Sequence, residues 1–239
     1  MAWAVNTLLG LGLLGVLIAL VIAAVGAFAA YWKSDSVALA MSHARPADPV
    51  QYARLHNLVE GLCIAAGLPK PRVYVIDDPA PNAFATGRNP RHAAIAVTTG
   101  LLDKMNRIEL EGILAHELSH VKNADVLAST LAVTLVGLPS LVLVPLFGPV
   151  MQVAVSRRRE SLADVSGVEL TRYPPGLISA LEKLKSDTTV VRFNSRATAH
   201  LWIESPLARD PAEGRLSWLN RLFDTHPPLD ERIRALKEL

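Results

Sequence analysis

The amino-terminal part of the chain is uniformly apolar. Its first 32 residues contain no charged side chain, and residues 8–30 are almost wholly hydrophobic. A helix of that length crosses the ~30 Å hydrocarbon core of a bilayer. Tyr31 and Trp32 follow at the position of an interfacial aromatic belt. The pattern predicts a transmembrane anchor over residues 1–32. Because basic residues appear only after it, the remainder of the chain is expected in the cytoplasm.

A cleaved signal peptide is the alternative interpretation of this segment. Ala27, Phe28 and Ala29 would form its A-x-A cleavage site. No basic region precedes the apolar stretch, however, and the stretch exceeds the ~7–15 residues typical of a signal-peptide core. These two features favour an anchor that stays attached to the protein.

The pattern of apolar positions changes after this segment. Residues 34–48 are polar and predict a connector. Residues 50–66 have the spacing of an amphipathic helix, which Gly67 ends. Two short runs rich in apolar residues, 72–77 and 92–99, predict strands. With the helical stretches further along the chain, the pattern predicts a mainly helical α+β domain with a small β-sheet.

The strongest candidate for chemistry is the motif H-E-x-x-H in the middle of the chain. Asn106 and Glu109 precede it as an N-x-x-E helix start, close to a capping box. Since positions i and i+4 share a helix face, His116 and His120 can bind one Zn²⁺ ion. Glu117 then lies beside the ion and can act as general base toward the attacking water. Two surface histidines without a metal are the alternative.

Glu160 is the candidate third ligand, because catalytic zinc sites have three protein ligands and one open position. The single cysteine, Cys63, has the surroundings of a small core residue. Glu160 and Asp164 stand at i and i+4, and therefore on one face of a second helix. Glu160 completes a His₂Glu site, while Asp164 can accept the ring N–H of a ligating histidine and fix its tautomer. A solvated acidic pair, balanced by the arginines at 157–159, is the alternative.

A second uncharged stretch, residues 126–156, lies between the two halves of this candidate site. If His120 and Glu160 bind one ion, both ends of the stretch lie on the same side of a membrane. Its 31 residues are fewer than the ~40 needed for two full crossings with a turn. The stretch therefore predicts a short helical hairpin that enters the membrane or packs beside the first helix. A buried helix pair in a soluble domain is the alternative.

Composition limits the classes of function. The net charge of +2 gives no case for nucleic-acid binding. One cysteine excludes an intrachain disulfide, which fits a reducing compartment. The hydrophobic content of 51% is high for a soluble protein, and the excess lies in the two uncharged stretches.

Four segments of the chain occur in an order that is typical of one protein family. They are NAFATG at 82–87, HELSHVKNAD at 116–125, RESLAD at 159–164 and THPPLDERI at 225–233. A looser match lies at 199–203. These segments resemble the HtpX-type membrane metallopeptidases, relatives of the CAAX-prenyl endopeptidases within the gluzincins. The resemblance covers roughly residues 50–239.

The resemblance implies a fold, an activity and a location. The fold is a zincin-like metallopeptidase domain over residues 33–239, and the activity is zinc-dependent endopeptidase hydrolysis. One Zn²⁺ per chain is the expected cofactor, although His₂Glu ligation also suits other divalent ions. The implied substrates are polypeptides, in particular misfolded membrane proteins, as in quality control and stress response. The implied location is the bacterial inner membrane, with the catalytic domain in the cytoplasm.

The resemblance also assigns roles to two further parts of the chain. In gluzincins the substrate lies as an added strand along a sheet edge, with main-chain hydrogen bonds. The residues implied at that edge are Asn82, Ala83, Phe84, Ala85 and Thr86. Asn82 would bond to the substrate backbone, and an ordinary turn is the alternative. His226 is implied as donor to the oxyanion, with a structural histidine at a helix start as the alternative. Arg232 is a candidate partner for an acidic residue of the site.

Two rival functions are compatible with parts of the sequence. An intramembrane protease would place H-E-x-x-H inside a transmembrane helix, where Lys104, Arg107 and Glu111 fit badly. A catalytically inactive zinc-binding scaffold or membrane chaperone would have no need of Glu117. The chain departs from the family pattern by having one apolar segment before the zinc motif where two are common.

Overall fold

The computed structural model describes residues 12–127, 129–130, 157–192, 198, 201–204 and 227–239. The chain divides into two compact units, Met1–Lys33 and Ser34–Leu239. Residues 1–11 of the predicted anchor and residues 131–156 of the predicted hairpin lie outside the described residues.

The first described element is the long helix α1, Gly12–Met41. In its amino-terminal half many of the exposed side chains are large and apolar, among them Leu13, Leu17, Val21 and Val25. Within the part of the chain that is described, no helix combines the length and the mean hydropathy needed to span a membrane.

The polar connector predicted from residue 34 is wrong up to Met41, because α1 continues to that residue. Ala38 and Leu39 are buried, so the last turns of α1 belong to the core. Asp35 is also buried, and its carboxylate accepts a hydrogen bond of 2.5 Å from Arg72. These tertiary contacts outweigh the polar composition of the segment.

A four-stranded mixed sheet follows. Its strands are β1 (Arg45–Pro46), β2 (Arg72–Ile76), β3 (Ala83–Gly87) and β4 (Ala93–Thr98). The spatial order is β1-β2-β4-β3, with β2 parallel to β4 and the other two pairs antiparallel. The two strands predicted from the sequence are confirmed to within one residue at each end. β3 forms one edge of this sheet, and its residues are all buried.

A 3₁₀ turn at Pro90–His92 joins β3 to β4, and six further α-helices have defined ends. They are α2 (Ala53–Ala66), α3 (Thr99–Lys104), α4 (Arg107–Lys122), α5 (Arg157–Thr171), α6 (Pro174–Ser186) and α7 (Leu229–Lys237). Helix α4 lies at the centre, where it packs against α2, α5, α6 and β3. Its capping box is present as predicted. The Asn106 side chain accepts from Glu109 N at 3.0 Å, and Glu109 Oε2 accepts from Asn106 N at 2.8 Å.

The main hydrophobic core lies between α4, its neighbouring helices and one face of the sheet. Leu110, Ile113, Leu114 and Leu118 of α4 are completely buried in it. Cys63 of α2 belongs to the same core, and burial raises the pKa of its thiol to about 11. A mainly helical chain with a small mixed sheet is thus what the structure contains.

Candidate metal centre

Three side chains that the sequence proposed as ligands meet between α4 and α5. His116 Nε2 and His120 Nε2 are 3.2 Å apart. Each of these nitrogens is 3.6 Å from a carboxylate oxygen of Glu160. Ligand atoms at ~2.1 Å from a tetrahedral zinc ion are separated by ~3.4 Å. The spacing of the three side chains and their donor types therefore fit zinc.

A close approach of the two helices brings these ligands together. Gly167 of α5 faces the main chain of α4 at His116. A Cβ atom added to Gly167 would lie 3.0 Å from the main-chain nitrogen of His116. A larger residue would move α5 away from α4 and lengthen the distances from Glu160 to both histidines. Helical spacing alone sets the positions within each helix, whereas this contact sets the distance between the helices.

The other ring nitrogen of His116 contacts a buried ion pair. His116 Nδ1 lies 2.9 Å from Asp164 Oδ1. Arg232 of α7 donates to both oxygens of Asp164, from Nη2 at 2.6 Å and from Nε at 2.8 Å. Its Nη1 donates to the carbonyl of Ile203 at 3.1 Å. Arg232 thus connects α7 and the segment at 203 to the back of the metal centre.

The charges of this cluster are strongly coupled. Burial alone raises the pKa of Asp164, but the guanidinium of Arg232 and the hydrogen bond from His116 lower it to about 2. Burial and Arg232 lower the pKa of His116, while the hydrogen bonds to Asp164 and Glu160 outweigh them and raise it to about 9. Metal binding requires a deprotonated Nε2 on His116, so a metal ion competes with the proton that these carboxylates favour.

His120 has a carboxylate of its own. Its Nδ1 lies 3.4 Å from Asp125 Oδ2, and Arg159 Nη1 lies 3.3 Å from the other oxygen of Asp125. The sequence interpretation gave Asp125 no role, although it stands inside the motif at 116–125. Each candidate histidine ligand thus contacts an aspartate through its second ring nitrogen, and each of these aspartates contacts an arginine. Only the i+4 spacing of Glu160 and Asp164 made one of these aspartates visible in the sequence.

The general-base candidate Glu117 is buried, with 2% of its surface exposed. It follows the first histidine ligand directly on α4. Burial lowers the pKa of Arg232, but the charge and hydrogen bonds of Asp164, followed by the charges of Glu160 and Glu117, outweigh burial and raise that pKa. With Asp125, the site therefore contains four buried carboxylates, and Arg232 is a buried permanent cation beside them.

The segment that the resemblance placed beside the substrate forms the edge strand β3. Both polar atoms of the Asn82 side chain contact the protein itself: Oδ1 accepts from Ala83 N at 3.0 Å, and Nδ2 donates to Glu204 O at 2.9 Å. At the other end of the strand, Thr130 Oγ1 accepts from Gly87 N at 3.1 Å.

Phe84 and Thr86 lie two positions apart, on one face of this strand, and each contacts a different partner. Phe84 is fully buried and stacks edge-on against Trp202 with ring centroids 4.9 Å apart. Thr86 Oγ1 is 3.0 Å from Thr130 Oγ1. The side chains of β3 thus serve packing and local hydrogen bonds. His226 lies outside the described residues and immediately precedes Pro227, so its oxyanion role stays a prediction.

A helix with H-E-x-x-H, crossed by a helix that carries a candidate glutamate ligand beside a small mixed sheet, defines the chain as a metallopeptidase. The chain belongs to peptidase family M48, whose family model matches residues 49–239. The sequence resemblance to HtpX-type metallopeptidases is thereby confirmed.

Individual relatives agree with this assignment. The Protease HtpX homolog of Thermoanaerobacter pseudethanolicus is 40% identical over 95% of this chain and 86% of that protein. The Protease HtpX homolog of Tropheryma whipplei is 42% identical over 96% of this chain and 87% of that protein. The crystal structure of S. mikatae Ste24p matches with a TM-score of 0.54 and 19% identity, over 92% of this chain and 57% of that one. At that identity the likeness to Ste24p concerns the fold.

Proposed function

We propose that this protein is a membrane-anchored zinc endopeptidase that hydrolyses polypeptides, in particular misfolded membrane proteins, in membrane quality control. The observation that supports the zinc chemistry most directly is the convergence of three ligand side chains: His116 Nε2 and His120 Nε2 are 3.2 Å apart, and each lies 3.6 Å from a different carboxylate oxygen of Glu160. Among the described residues, these three side chains form the group whose spacing suits a metal ion.

The roles of the individual side chains follow from their positions. When bound, zinc would polarise the scissile carbonyl and lower the pKa of the attacking water. Glu117 would accept the proton of that water and deliver it to the leaving amine. Asp164 would hold the His116 ring in the tautomer whose Nε2 lone pair points to the ion. His226 would donate a hydrogen bond to the oxyanion.

Chelation tests this assignment. Protein purified in detergent is expected to contain one zinc ion per chain and to cleave an unfolded substrate such as casein. Removal of the metal should abolish cleavage, and one equivalent of Zn²⁺ should restore it. Glu160→Gln should lose both zinc and activity, because the third ligand is weakened. Cleavage that is indifferent to chelation would contradict the proposal, and protein without zinc before and after reconstitution would do so as well.

The substrate would pair with β3 at Ala85. Residues facing each other on antiparallel strands alternate between hydrogen-bonded and non-hydrogen-bonded pairs. Thr98 N donates to Asn82 O, so Ala83, Ala85 and Gly87 direct their main-chain groups away from β4. Ile203 N donates to Ala83 O at 3.0 Å, and Gly87 N bonds to Thr130.

Ala85 therefore occupies the outward position between these two contacts. Within the described part of the chain its outward N–H and C=O have no hydrogen-bond partner. Buried main-chain groups are normally paired, and an added peptide strand would pair them. This moves the expected substrate contact from the side chain of Asn82 to the main chain of Ala85.

Ala85→Pro is expected to raise KM for peptide substrates by about 10-fold with little change in kcat, because one main-chain hydrogen bond to bound substrate is lost. Proline is tolerated on an edge strand where the N–H points outward. Ala83→Pro is the control for loss of a β3 N–H that does not reach substrate, because the Ala83 N–H already donates to Asn82 Oδ1 at 3.0 Å. An unchanged KM for Ala85→Pro, in a variant that melts like wild type, would contradict this edge. A substrate N-methylated at successive amides gives the same test without altering the protein.

The anchor over residues 1–32 and the hairpin at 126–156 are part of the same proposal. The exposed apolar side chains of the amino-terminal half of α1 support contact with lipid. The catalytic domain over residues 33–239 would then lie at the cytoplasmic face of the bacterial inner membrane, next to the lipid bilayer and its protein substrates. An anchored protein stays in the membrane fraction during alkaline carbonate extraction. Release of the protein into the soluble fraction would contradict the anchor.

A further inference from the structure

Asp125 and Arg159 form an ion pair next to the candidate ligand His120, and the known chemistry of the site leaves this pair without a function. We infer that the pair positions the His120 ring and joins both ends of the 126–156 segment to the metal centre. This inference rests on the proposed zinc site. It concerns Asp125 and Arg159 as positioning residues, because neither contacts the reacting atoms.

The chain leaves α4 in a way that returns Asp125 to His120. The helix ends at Lys122, with the main-chain N–H of Asn123 bonded to Ser119 O. Ala124 has a φ of 60°, in the left-handed region that is unfavourable for alanine. Such a conformation persists where the surrounding contacts require it. Here it reverses the chain, so that the next carboxylate faces the last turn of α4 and is itself only 7% exposed.

The two residues stand at the two ends of the uncharged segment. Asp125 directly precedes residue 126, and Arg159 lies three positions after residue 156, in the first turn of α5. Arg159 Nη1 is 3.3 Å from one oxygen of Asp125, while the other oxygen is 3.4 Å from His120 Nδ1. A single carboxylate therefore contacts both the far end of the segment and the metal-binding histidine.

The aspartate–arginine pairs beside the two histidines differ in contact distance and in burial. The pair of Asp164 and Arg232 behind His116 is bidentate and completely buried, with contacts of 2.6 and 2.8 Å. The pair at His120 is longer, and the Arg159 side chain is 37% exposed. Longer, partly solvated contacts break and re-form more readily. A displacement of either end of the segment would therefore change the orientation of His120 before that of His116.

The test uses the full chain in detergent and compares zinc affinity with the visible spectrum of the Co²⁺-substituted protein. Asp125→Asn should weaken zinc binding about 10–100-fold and shift the Co²⁺ bands, because the ring loses its carboxylate partner. Arg159→Gln should change zinc affinity and the Co²⁺ spectrum in the same direction but by less. Arg159→Lys keeps the positive charge and should have wild-type values of both. The double variant should be no weaker than Asp125→Asn. The matched control is Asp77→Asn, an exposed aspartate paired with Arg45 at 3.8 Å, which should change neither quantity.

The connection to the segment has its own measurement. Zinc should slow backbone hydrogen exchange at residues 122–127 and 157–162 of wild type, and this slowing should be absent in Arg159→Gln. Equal protection in the variant would overturn the link between the two ends. If wild type binds zinc and Asp125→Asn has the same zinc affinity and Co²⁺ spectrum, the positioning role is overturned. The proposed function would remain intact in that case. Wild type that binds no zinc would remove both.

Discussion

Glu117→Gln is expected to lose roughly 10²–10⁴-fold in kcat while keeping its zinc. Glutamine has the shape of glutamate but cannot accept the proton of the attacking water. Glu117 is buried on α4 and lies between the two histidines in sequence. Helical geometry places it beside the proposed metal position and not on the face that carries the two histidines. The substitution therefore removes a proton acceptor and leaves the three ligands in place.

The measurement combines steady-state cleavage of casein with determination of bound metal. Glu111→Gln is the matched control, because Glu111 lies on the same helix and is partly exposed; it should cleave at the wild-type rate. Zinc in both proteins with cleavage only in the control would support the base. A fully active Glu117→Gln would assign the proton transfer to another group. A variant that has lost its zinc would show that Glu117 serves the integrity of the site.

Arg232→Met is expected to destabilise the metal-free protein by about 3–5 kcal/mol, the range for removing one partner of a buried ion pair. The Arg232 side chain is 1% exposed and forms two hydrogen bonds to Asp164 and one to Ile203. Methionine fills similar volume but leaves the Asp164 charge buried beside a histidine alone. Zinc affinity should fall as well, because Asp164 no longer has a fixed orientation toward His116.

Denaturant unfolding of the chelated protein measures this loss. Arg234→Met on the exposed side of α7 is the matched control and should lie within ~0.5 kcal/mol of wild type. The difference in unfolding free energy between Arg232→Met and Arg234→Met should depend on pH. The pKa of Asp164 is about 2 in the folded protein and ~3.9 in an unfolded chain, so its contribution is complete above pH ~4 and is lost as pH falls toward 2. Equal stability of Arg232→Met and Arg234→Met at pH 7 would contradict the argument.

Local features of the sequence predicted helix α4 well. Asn106 and Glu109 form the capping box that the N-x-x-E spacing indicated, and both partners of that motif lie within one helical turn. Strands β2 and β4 were recognisable because their apolar residues are contiguous. The connector after residue 34 was predicted wrongly, since a short polar stretch has no sequence feature that reveals burial of Ala38 and Leu39.

Residues that act across long separations were harder to assign. Arg232 reaches Asp164 from a helix 68 positions further along the chain, and Asp125 reaches His120 only because Ala124 adopts a left-handed conformation. Neither contact has a spacing that a helix or strand repeats. The Asn82 side chain donates to the carbonyl of Glu204, a residue 122 positions away, and its contact with substrate stays a prediction. Pairing of this kind depends on which segments the fold brings together.

By itself the sequence determined the donor types of the metal site and their arrangement within each helix, because the i, i+4 repeat is a property of the local backbone. His116 with His120, and Glu160 with Asp164, follow from that repeat. Only the tertiary structure decided how far apart the two pairs lie, since the contact of Gly167 with the main chain of His116 fixes the distance between the helices. It also decided which arginine neutralises which aspartate, because charge pairing across a core depends on packing between distant segments.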